Sequence, residues 1–168
     1  MNAGPLLMIA LVQGLFVLNS GLPELTTEPP VILNETPSMA KGAYVRVDDV
    51  AELKRGDIIA MPMTGRARDY LVRKLGYPED TMLLKRVAGI SGDLVCREKN
   101  AVTIGTKAVV AARMDRYGNS LPAWSGCRVL SPNQIFLLGD HASSFDSRYF
   151  GPVAKDELAG IYRAAVTW

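Results

Sequence analysis

The sequence is poor in metal-binding residues and has no marked excess of either charge. It contains a single histidine, His141, and two cysteines, Cys96 and Cys127, among 168 residues. This excludes mechanisms that need two or three histidines, which include most zinc catalysis. Its 19 basic and 17 acidic residues leave a net charge of +2, and no basic cluster is interleaved with aromatic residues. We therefore expect no nucleic-acid partner, no metal and no other cofactor.

Basic residues are missing from the N-terminal part, where no lysine or arginine precedes Lys41. Residues 3–22 form an almost entirely apolar stretch of 20 residues, which is the length that a membrane-spanning helix needs. No basic region precedes this stretch and no small-residue cleavage motif follows it, which disfavours a cleaved signal peptide. We predict a membrane anchor over 1–22, with a cleaved signal segment and a buried core helix as the alternatives. The flanking charges do not orient it.

The rest of the chain is typical of one mainly β domain. A polar, proline-rich segment, 23–30, predicts an extended linker, and 31–168 follows as a single unit. We expect antiparallel strands with few short helices. Short β-type runs alternate with glycine and asparagine turns, at 57–61, 81–87, 93–96, 101–104, 107–111, 134–138 and 161–168. Helical patterns occur at 66–75 and 155–158 only.

The two cysteines lie 31 residues apart. If the domain lies outside the cytoplasm, Cys96 and Cys127 are expected to form one disulfide. Closing a loop of that length stabilises a fold by about 3–4 kcal/mol in the chain-entropy description. Two buried thiols are the alternative, and a zinc site is disfavoured because the single remote histidine leaves the ligand set incomplete.

A first candidate site is the segment 34–44, which combines small, hydroxyl-bearing, proline and glycine residues around Ser38. A nucleophilic serine needs a base within hydrogen-bond reach. His141 lies close in sequence to Asp140 and Asp146, so residue type alone allows a Ser-His-Asp triad. The other interpretation is an ordinary solvent-facing turn serine.

A lysine is the other candidate base, provided that burial lowers its pKa from about 10.4. Most lysines of the chain have polar neighbours. Lys85 differs, because in a strand it shares a face with Leu83 and Val87. A lysine in this position is either desolvated for function or extends to solvent at a sheet edge.

A third segment, 137–153, passes from an apolar strand into a loop dense in hydrogen-bonding groups. It contains Asp140, Ser144, Asp146 and Arg148. Such density favours a functional loop over a simple connection. The alternative is a self-satisfied polar network that closes the β domain, and it applies most to Asp140 and Arg148.

Together these segments resemble the motifs of bacterial type I signal peptidases, the membrane-bound Ser/Lys endopeptidases, and most closely their conjugative-transfer, TraF-type branch. The three segments resemble NxTxSxPxGxY, LLKRVxGxPGD and GDNxxSxDSRYxGPV, in that order, over 34–153. Ala40 and Ser91 stand where the family has prolines, and His141 stands where it has asparagine. The last motif is also one residue shorter than in housekeeping members. These departures remove no reacting group and favour the conjugative branch.

The resemblance implies a signal-peptidase-like β domain behind a membrane anchor. It implies that Ser38 is the nucleophile and Lys85 its general base. The backbone N–H of Ser38 and the hydroxyl of Thr36 would hold the oxyanion. Asp146 would support catalysis, either by fixing Lys85 or by pairing with Arg148.

Three further residues carry implied roles in positioning. Ser144 resembles the serine that orients the lysine amine. Arg148 and Asp140 are implied to be either lysine-orienting or structural, and the resemblance does not decide between these roles.

The resemblance also implies a function and a location. We expect a serine endopeptidase anchored in the bacterial inner membrane, with its catalytic domain in the periplasm and the bilayer as a partner of the N-terminal segment. The expected substrate is an exported protein, foremost a conjugative pilin precursor, with hydrolysis and cyclisation both open. The alternatives are a general signal peptidase that removes secretory signal peptides, and a non-catalytic β module of a secretion or conjugation apparatus. We expect a monomer.

Overall fold

The computed structural model describes residues 28–48 and 53–168. The predicted anchor, 1–22, and most of the predicted linker lie outside these residues. In the described part, no helix has both the length and the apolar composition to cross a membrane.

Eleven strands and a few short helical segments make up the described chain. The strands are β1 (Val31–Asn34), β2 (Gly42–Asp48), β3 (Ile58–Pro62), β4 (Met82–Gly89), β5 (Leu94–Glu98), β6 (Ala101–Ile104), β7 (Lys107–Val110), β8 (Gly126–Val129), β9 (Gln134–Leu138), β10 (Val153–Ala154) and β11 (Gly160–Thr167). Helix α1 (Gly65–Arg68) continues as a π-helical segment (Asp69–Lys74), α2 spans Ser147–Phe150, and Lys155–Glu157 forms a 3₁₀ turn.

The strands form two antiparallel sheets. The larger sheet has seven strands in the order β1-β2-β11-β3-β4-β9-β10, and the smaller has four in the order β7-β6-β5-β8. The prediction of a mainly β domain with few short helices is confirmed. Each predicted strand run corresponds to a strand, and the two helical patterns correspond to the α1 segment and the 3₁₀ turn. The prediction missed β1, β2, β8, β10 and α2.

The larger sheet contributes buried apolar residues from both of its faces. One face packs Ile59, Met61 and Val87 against Tyr70 of the π-helical segment and Phe150 of α2. The opposite face contributes to a cluster of Met39, Tyr44, Ala60, Leu84, Ala159 and Tyr162. Because side chains alternate along a strand, Lys85 shares the first of these faces with its neighbours at 83 and 87.

The smaller sheet packs its inner face against the larger one. Val95, Val102 and Ile104 form a cluster with Phe136 of β9 and Tyr149 of α2. Cys96 on β5 and Cys127 on β8 are directly paired across the sheet and joined by a disulfide. Through Phe136, the smaller sheet packs against β9, the strand that leads into the third candidate segment.

Candidate active site

Ser38 lies in the loop 35–41, which joins the antiparallel strands β1 and β2. Its Oγ is 2.8 Å from Oγ1 of Thr36, and that hydroxyl is in turn 2.8 Å from Oδ1 of Asn34. The next residue, Met39, is buried in the core. The loop is therefore fixed at its base by a buried side chain while Ser38 stays partly exposed.

The serine loop contacts the third candidate segment at Gly139. The backbone N–H of Asp140 donates to the carbonyl of Ser38 at 2.7 Å. A Cβ built on Gly139 would lie 2.0 Å from Oγ of Ser144 and 2.8 Å from the carbonyl oxygen of Ser38. These distances are too short for any side chain, so glycine is required where the two segments meet.

Lys85 lies on β4, directly opposite Ile59 of β3. Its side chain is only 3% exposed, and Nζ donates to the carbonyl of Leu84 at 3.0 Å. Burial lowers the pKa of Lys85 from the ordinary 10.5 to about 8, with the positive charge of Arg148 adding to this and the carboxylate of Asp146 opposing it. At pH 7 about one tenth of such a lysine is neutral, against about 0.03% at the ordinary pKa.

Asp146 and Arg148 form a buried ion pair. The carboxylate is fully buried and accepts from Nε and Nη2 of Arg148, each at 2.8 Å. It also accepts the backbone N–H of Gly139 at 2.9 Å and that of Arg148 at 3.1 Å, which caps helix α2. Four donors therefore satisfy this carboxylate, and none of them is Lys85.

Arg148 additionally binds the loop that precedes it. Its guanidinium donates to the carbonyls of Ala142 at 2.6 Å and Ser144 at 2.9 Å. Arg97 of β5 donates to the carbonyl of Arg148. These bonds connect Arg148 to several points of the loop 139–146.

Asp140 and Ser144 have different surroundings. The carboxylate of Asp140 accepts from Nε and Nη2 of Arg86, each at 2.8 Å, and this bond lowers the pKa of Asp140. The pair is half-exposed and connects the loop to the residue that follows Lys85. Oγ of Ser144 is buried without a hydrogen-bond partner in the described chain, so it does not contact the lysine amine here.

His141 does not join a triad. Its Nδ1 is 2.8 Å from Oγ of Ser143 and accepts the backbone N–H of Ser143 at 3.2 Å. The ring is exposed, and no hydrogen bond connects it to Ser38 within residues 28–48 and 53–168. Lys85 does not bond to Ser38 either, and what separates it from His141 as the candidate base is its burial and its lowered pKa.

Two clefts lie beside the loop that begins at Gly139. One of about 310 Å³ is bordered by His141 and Arg148, and one of about 840 Å³ by Arg86 and Asp140. Ser38 and Lys85 line neither cleft, and no hydrogen bond joins their side chains among the described residues. These two clefts therefore do not coincide with the candidate reacting groups.

Sequence reasoning assigned no role to two residues that build this site. Asn34 bonds to the serine loop at five points, and Gly139 provides the space in which the serine loop and the third segment meet. Both residues stand inside the quoted motifs, but a motif position alone does not say what a residue contacts. The arrangement offers an accessible hydroxyl, a buried amine of lowered pKa and a charged network nearby, which suits acyl transfer by serine and lysine.

Comparison with known proteins assigns the family. Residues 6–168 match the family described as signal peptidase, peptidase S26. The chain belongs to this family. The resemblance to signal peptidases is confirmed, and membership of the S26 family implies a serine peptidase.

Individual relatives agree with this assignment. The chain is 34% identical over 147 residues to the conjugal transfer protein TraF of Agrobacterium tumefaciens (strain 15955), covering 81% of this chain and 82% of that protein. It is 28% identical over 96 residues to signal peptidase I V of Bacillus subtilis (strain 168), covering 50% and 57%. A crystal structure of signal peptidase I from Enterococcus faecalis V583 aligns with a TM-score of 0.38 and 21% identity, over 66% of this chain and 96% of that one. That structural similarity is too low to establish a shared fold.

Proposed function

We propose that this S26 family member is a membrane-anchored serine endopeptidase in which Ser38 is the nucleophile and Lys85 the general base. The observation that carries the proposal is the burial of Lys85, which forms no salt bridge with a carboxylate of residues 28–48 or 53–168. A buried lysine that is neither paired nor exposed lowers the stability of the fold, because its charged form loses hydration. The same loss of hydration favours the neutral amine that a general base requires.

In the proposed reaction, Oγ of Ser38 attacks the carbonyl carbon of the scissile peptide while Nζ of Lys85 takes the hydroxyl proton. Nζ exchanges its bond to the carbonyl of Leu84 for one to Ser38. The oxyanion accepts from the N–H of Ser38 and the hydroxyl of Thr36. The C–N bond then breaks, and Lys85 returns its proton to the leaving amine, which leaves an ester on Ser38.

The second half of the reaction repeats these roles. A water, or an amine of the substrate itself, attacks the ester and gives a proton to Lys85. Lys85 then protonates Oγ of Ser38 as the ester bond breaks. Water yields a shortened protein, and an internal amine yields a cyclic one.

Asp146 is proposed to assist through its charge. The protonated Lys85 that forms during attack gains from a fixed carboxylate nearby, and Asp146 is fixed by Arg148. Ser144 is proposed to receive the amine of Lys85 when the substrate is bound, because its buried hydroxyl has unused bonding capacity.

The proposed location is the bacterial cytoplasmic membrane, with the catalytic domain in the periplasm, and two features support the attachment to a membrane. Ser38 follows the apolar stretch 3–22 by only 16 residues, which limits its distance from the end of that stretch to about 50–60 Å. Strands β1, β2 and β11 also share an exposed apolar face near the start of the domain. Its exposed members are Val31, Leu33, Val47, Val166 and Trp168. Trp is enriched at membrane interfaces.

The proposed substrate is a conjugative pilin precursor. The relative in Agrobacterium tumefaciens carries the name conjugal transfer protein, and its match covers 82% of its length. A general signal peptidase that removes secretory signal peptides is the second candidate, favoured by the match to signal peptidase I V. Both share the Ser38 and Lys85 chemistry.

The test is to co-express the enzyme with a candidate pilin precursor and to read the pilin by intact mass. Wild type should shorten the pilin, and Ser38→Ala should not. Ser143→Ala is the matched control, because this serine lies on the exposed loop beside His141 and should leave processing unchanged. A further loss of one water would reveal cyclisation. A protein that cleaves neither the pilin nor a secretory signal peptide in a Ser38-dependent way would instead be a non-catalytic module.

A further inference from the structure

Asn34 lies at the base of the serine loop, and both polar atoms of its side chain bond to that loop. Nδ2 donates to the carbonyls of Thr36 at 2.9 Å, Met39 at 3.0 Å and Ala40 at 2.9 Å. Oδ1 accepts the backbone N–H of Thr36 at 3.2 Å and its hydroxyl at 2.8 Å. The amide can face only one way, because the reversed amide would set an oxygen against three carbonyls.

These contacts fix the direction of the hydrogen bond between Ser38 and Thr36. The Thr36 hydroxyl has one hydrogen, and Oδ1 of Asn34 can only accept, so this hydrogen points at Asn34. The 2.8 Å contact between the two hydroxyls must then take its hydrogen from Ser38. In the resting site Ser38 donates to Thr36, and Thr36 donates to Asn34.

This series of hydrogen bonds, from Ser38 to Thr36 to Asn34, has a consequence for the oxyanion. While its hydrogen is held by Asn34, Thr36 cannot donate to a developing oxyanion. Once Ser38 gives up its proton, the hydroxyl of Thr36 can rotate about its Cβ–Oγ bond. Oδ1 of Asn34 keeps the backbone N–H of Thr36 as a donor, so this rotation leaves no buried acceptor without a partner.

We propose that Asn34 is a positioning residue that holds Thr36 beside Ser38 and releases the Thr36 hydrogen to the oxyanion during acyl transfer. The proposal rests on the proposed serine peptidase function. Asn34 bonds to Thr36 at its N–H, its carbonyl and its hydroxyl, and the side of these bonds that Asn34 provides is buried, since Asn34 is 6% exposed. Its effect on the reaction is exerted through Thr36.

A double-mutant cycle on the full chain tests this, with kcat and KM measured on a peptide that wild type cleaves and Ser38→Ala does not. Thr36→Val should lower kcat about a hundredfold or more, as expected for loss of an oxyanion donor. Asn34→Ala should lower kcat at least tenfold with little change in KM. In the Thr36→Val background, Asn34→Ala should lower kcat less than twofold further. In the Thr36→Ser background, which keeps the hydroxyl, the full tenfold loss should persist.

Tyr44→Phe is the matched control. The Tyr44 hydroxyl donates at 2.7 Å to the carbonyl of Ala40, which also accepts from Asn34, but it does not touch Thr36. Its removal weakens the same loop. The loss of kcat in the double variant with Thr36→Val should therefore equal the product of the two single losses. If Asn34→Ala behaves like this control, and its effect is fully additive with Thr36→Val, Asn34 is merely structural and the proposal is wrong.

Asn34→Asp separates the two functions of the side chain, which are to accept hydrogen bonds from Thr36 and to donate to the loop carbonyls. It replaces Asn34→Ala in the test if that variant does not fold. The carboxylate keeps an oxygen for Thr36 but loses the donors to three carbonyls, so the melting temperature should fall. In the Asn34→Asp background, Thr36→Val should still lower kcat by about the same factor as in wild type. If Thr36→Val does not lower kcat in the Asn34→Asp background, the proposal is overturned. A wild type whose cleavage does not depend on Ser38 would refute the proposed function itself, which is a separate outcome.

Discussion

Replacing Lys85 by methionine should make the protein more stable at neutral pH, because a buried charge disappears. The pKa of Lys85 is lowered from 10.5 to about 8. At about 1.4 kcal/mol for each pH unit, holding this lysine protonated in the fold costs about 3 kcal/mol at pH 7. The cost is fully present below pH 8 and fades as pH rises toward 10.5, where the unfolded chain also loses the proton.

The assay is denaturant unfolding of wild type and Lys85→Met at pH 7 and at pH 10. Any difference in packing between the two side chains is common to both pH values and cancels. The advantage of Lys85→Met in the free energy of unfolding should therefore shrink by about 2.5 kcal/mol between pH 7 and pH 10. Lys107→Met is the matched control, because Lys107 is exposed and its replacement relieves no buried charge. A difference that does not change with pH would refute the claim that Lys85 is desolvated.

Three further variants test the ion pairs and the disulfide. Asp146→Asn leaves Arg148 as an unpaired buried charge and should lower the free energy of unfolding by about 3–5 kcal/mol, measured in denaturant. Because Asp146 raises the pKa of Lys85, the same variant should also move the pH midpoint of cleavage downward. Replacing both Cys96 and Cys127 by alanine should lower the free energy of unfolding by about 3–4 kcal/mol. Equal free energies of unfolding for oxidised and reduced wild type would contradict this. Asp140→Asn breaks a half-exposed pair and should change stability by less than about 1 kcal/mol; a larger loss would mean that this pair also holds the serine loop.

Sequence reasoning found the strands that form a short β-type run between turn residues. β4 and β9 carry the apolar pattern that a buried strand needs, and the burial of Lys85 follows from its neighbours Leu83 and Val87. β8 was missed because all four of its residues are exposed, so no apolar alternation marks it. Its pairing with β5 and the disulfide position it instead.

Helix α2 and the strands beside Ser38 were missed for other reasons. All four residues of α2 are buried, and a single turn is too short to show a helical period. Its one local signal is Asp146, which caps it. β1 and β2 flank a segment that contains proline and small residues, which favours a loop. The pairing of β2 with both β1 and β11 decides their conformation.

The contacts of the candidate site could be predicted only in part. The residue pattern alone left Ser38 and Lys85 open, and the resemblance to the signal peptidase motifs indicated them. The role of Gly139 could not be predicted, since it depends on the distance to the serine loop, which is far away in sequence. The contacts of Asn34 are local, but they depend on the three-dimensional course of the serine loop, which the residue pattern does not give. The partner of Asp146 was left open between Lys85 and Arg148, and the geometry gives it to Arg148.

The most direct test of the Ser38 and Lys85 dyad is the pH dependence of kcat/KM for cleavage of a signal-peptide or pilin substrate. Wild type should gain about tenfold in kcat/KM for each pH unit below pH 8 and level off above it, because the neutral amine is the reactive form. Lys85→Met should cleave no faster than Ser38→Ala at any pH. Cleavage by Lys85→Met at the wild-type rate, or a wild-type midpoint near pH 6.5 that disappears in His141→Ala, would contradict the assignment of Lys85 as the base.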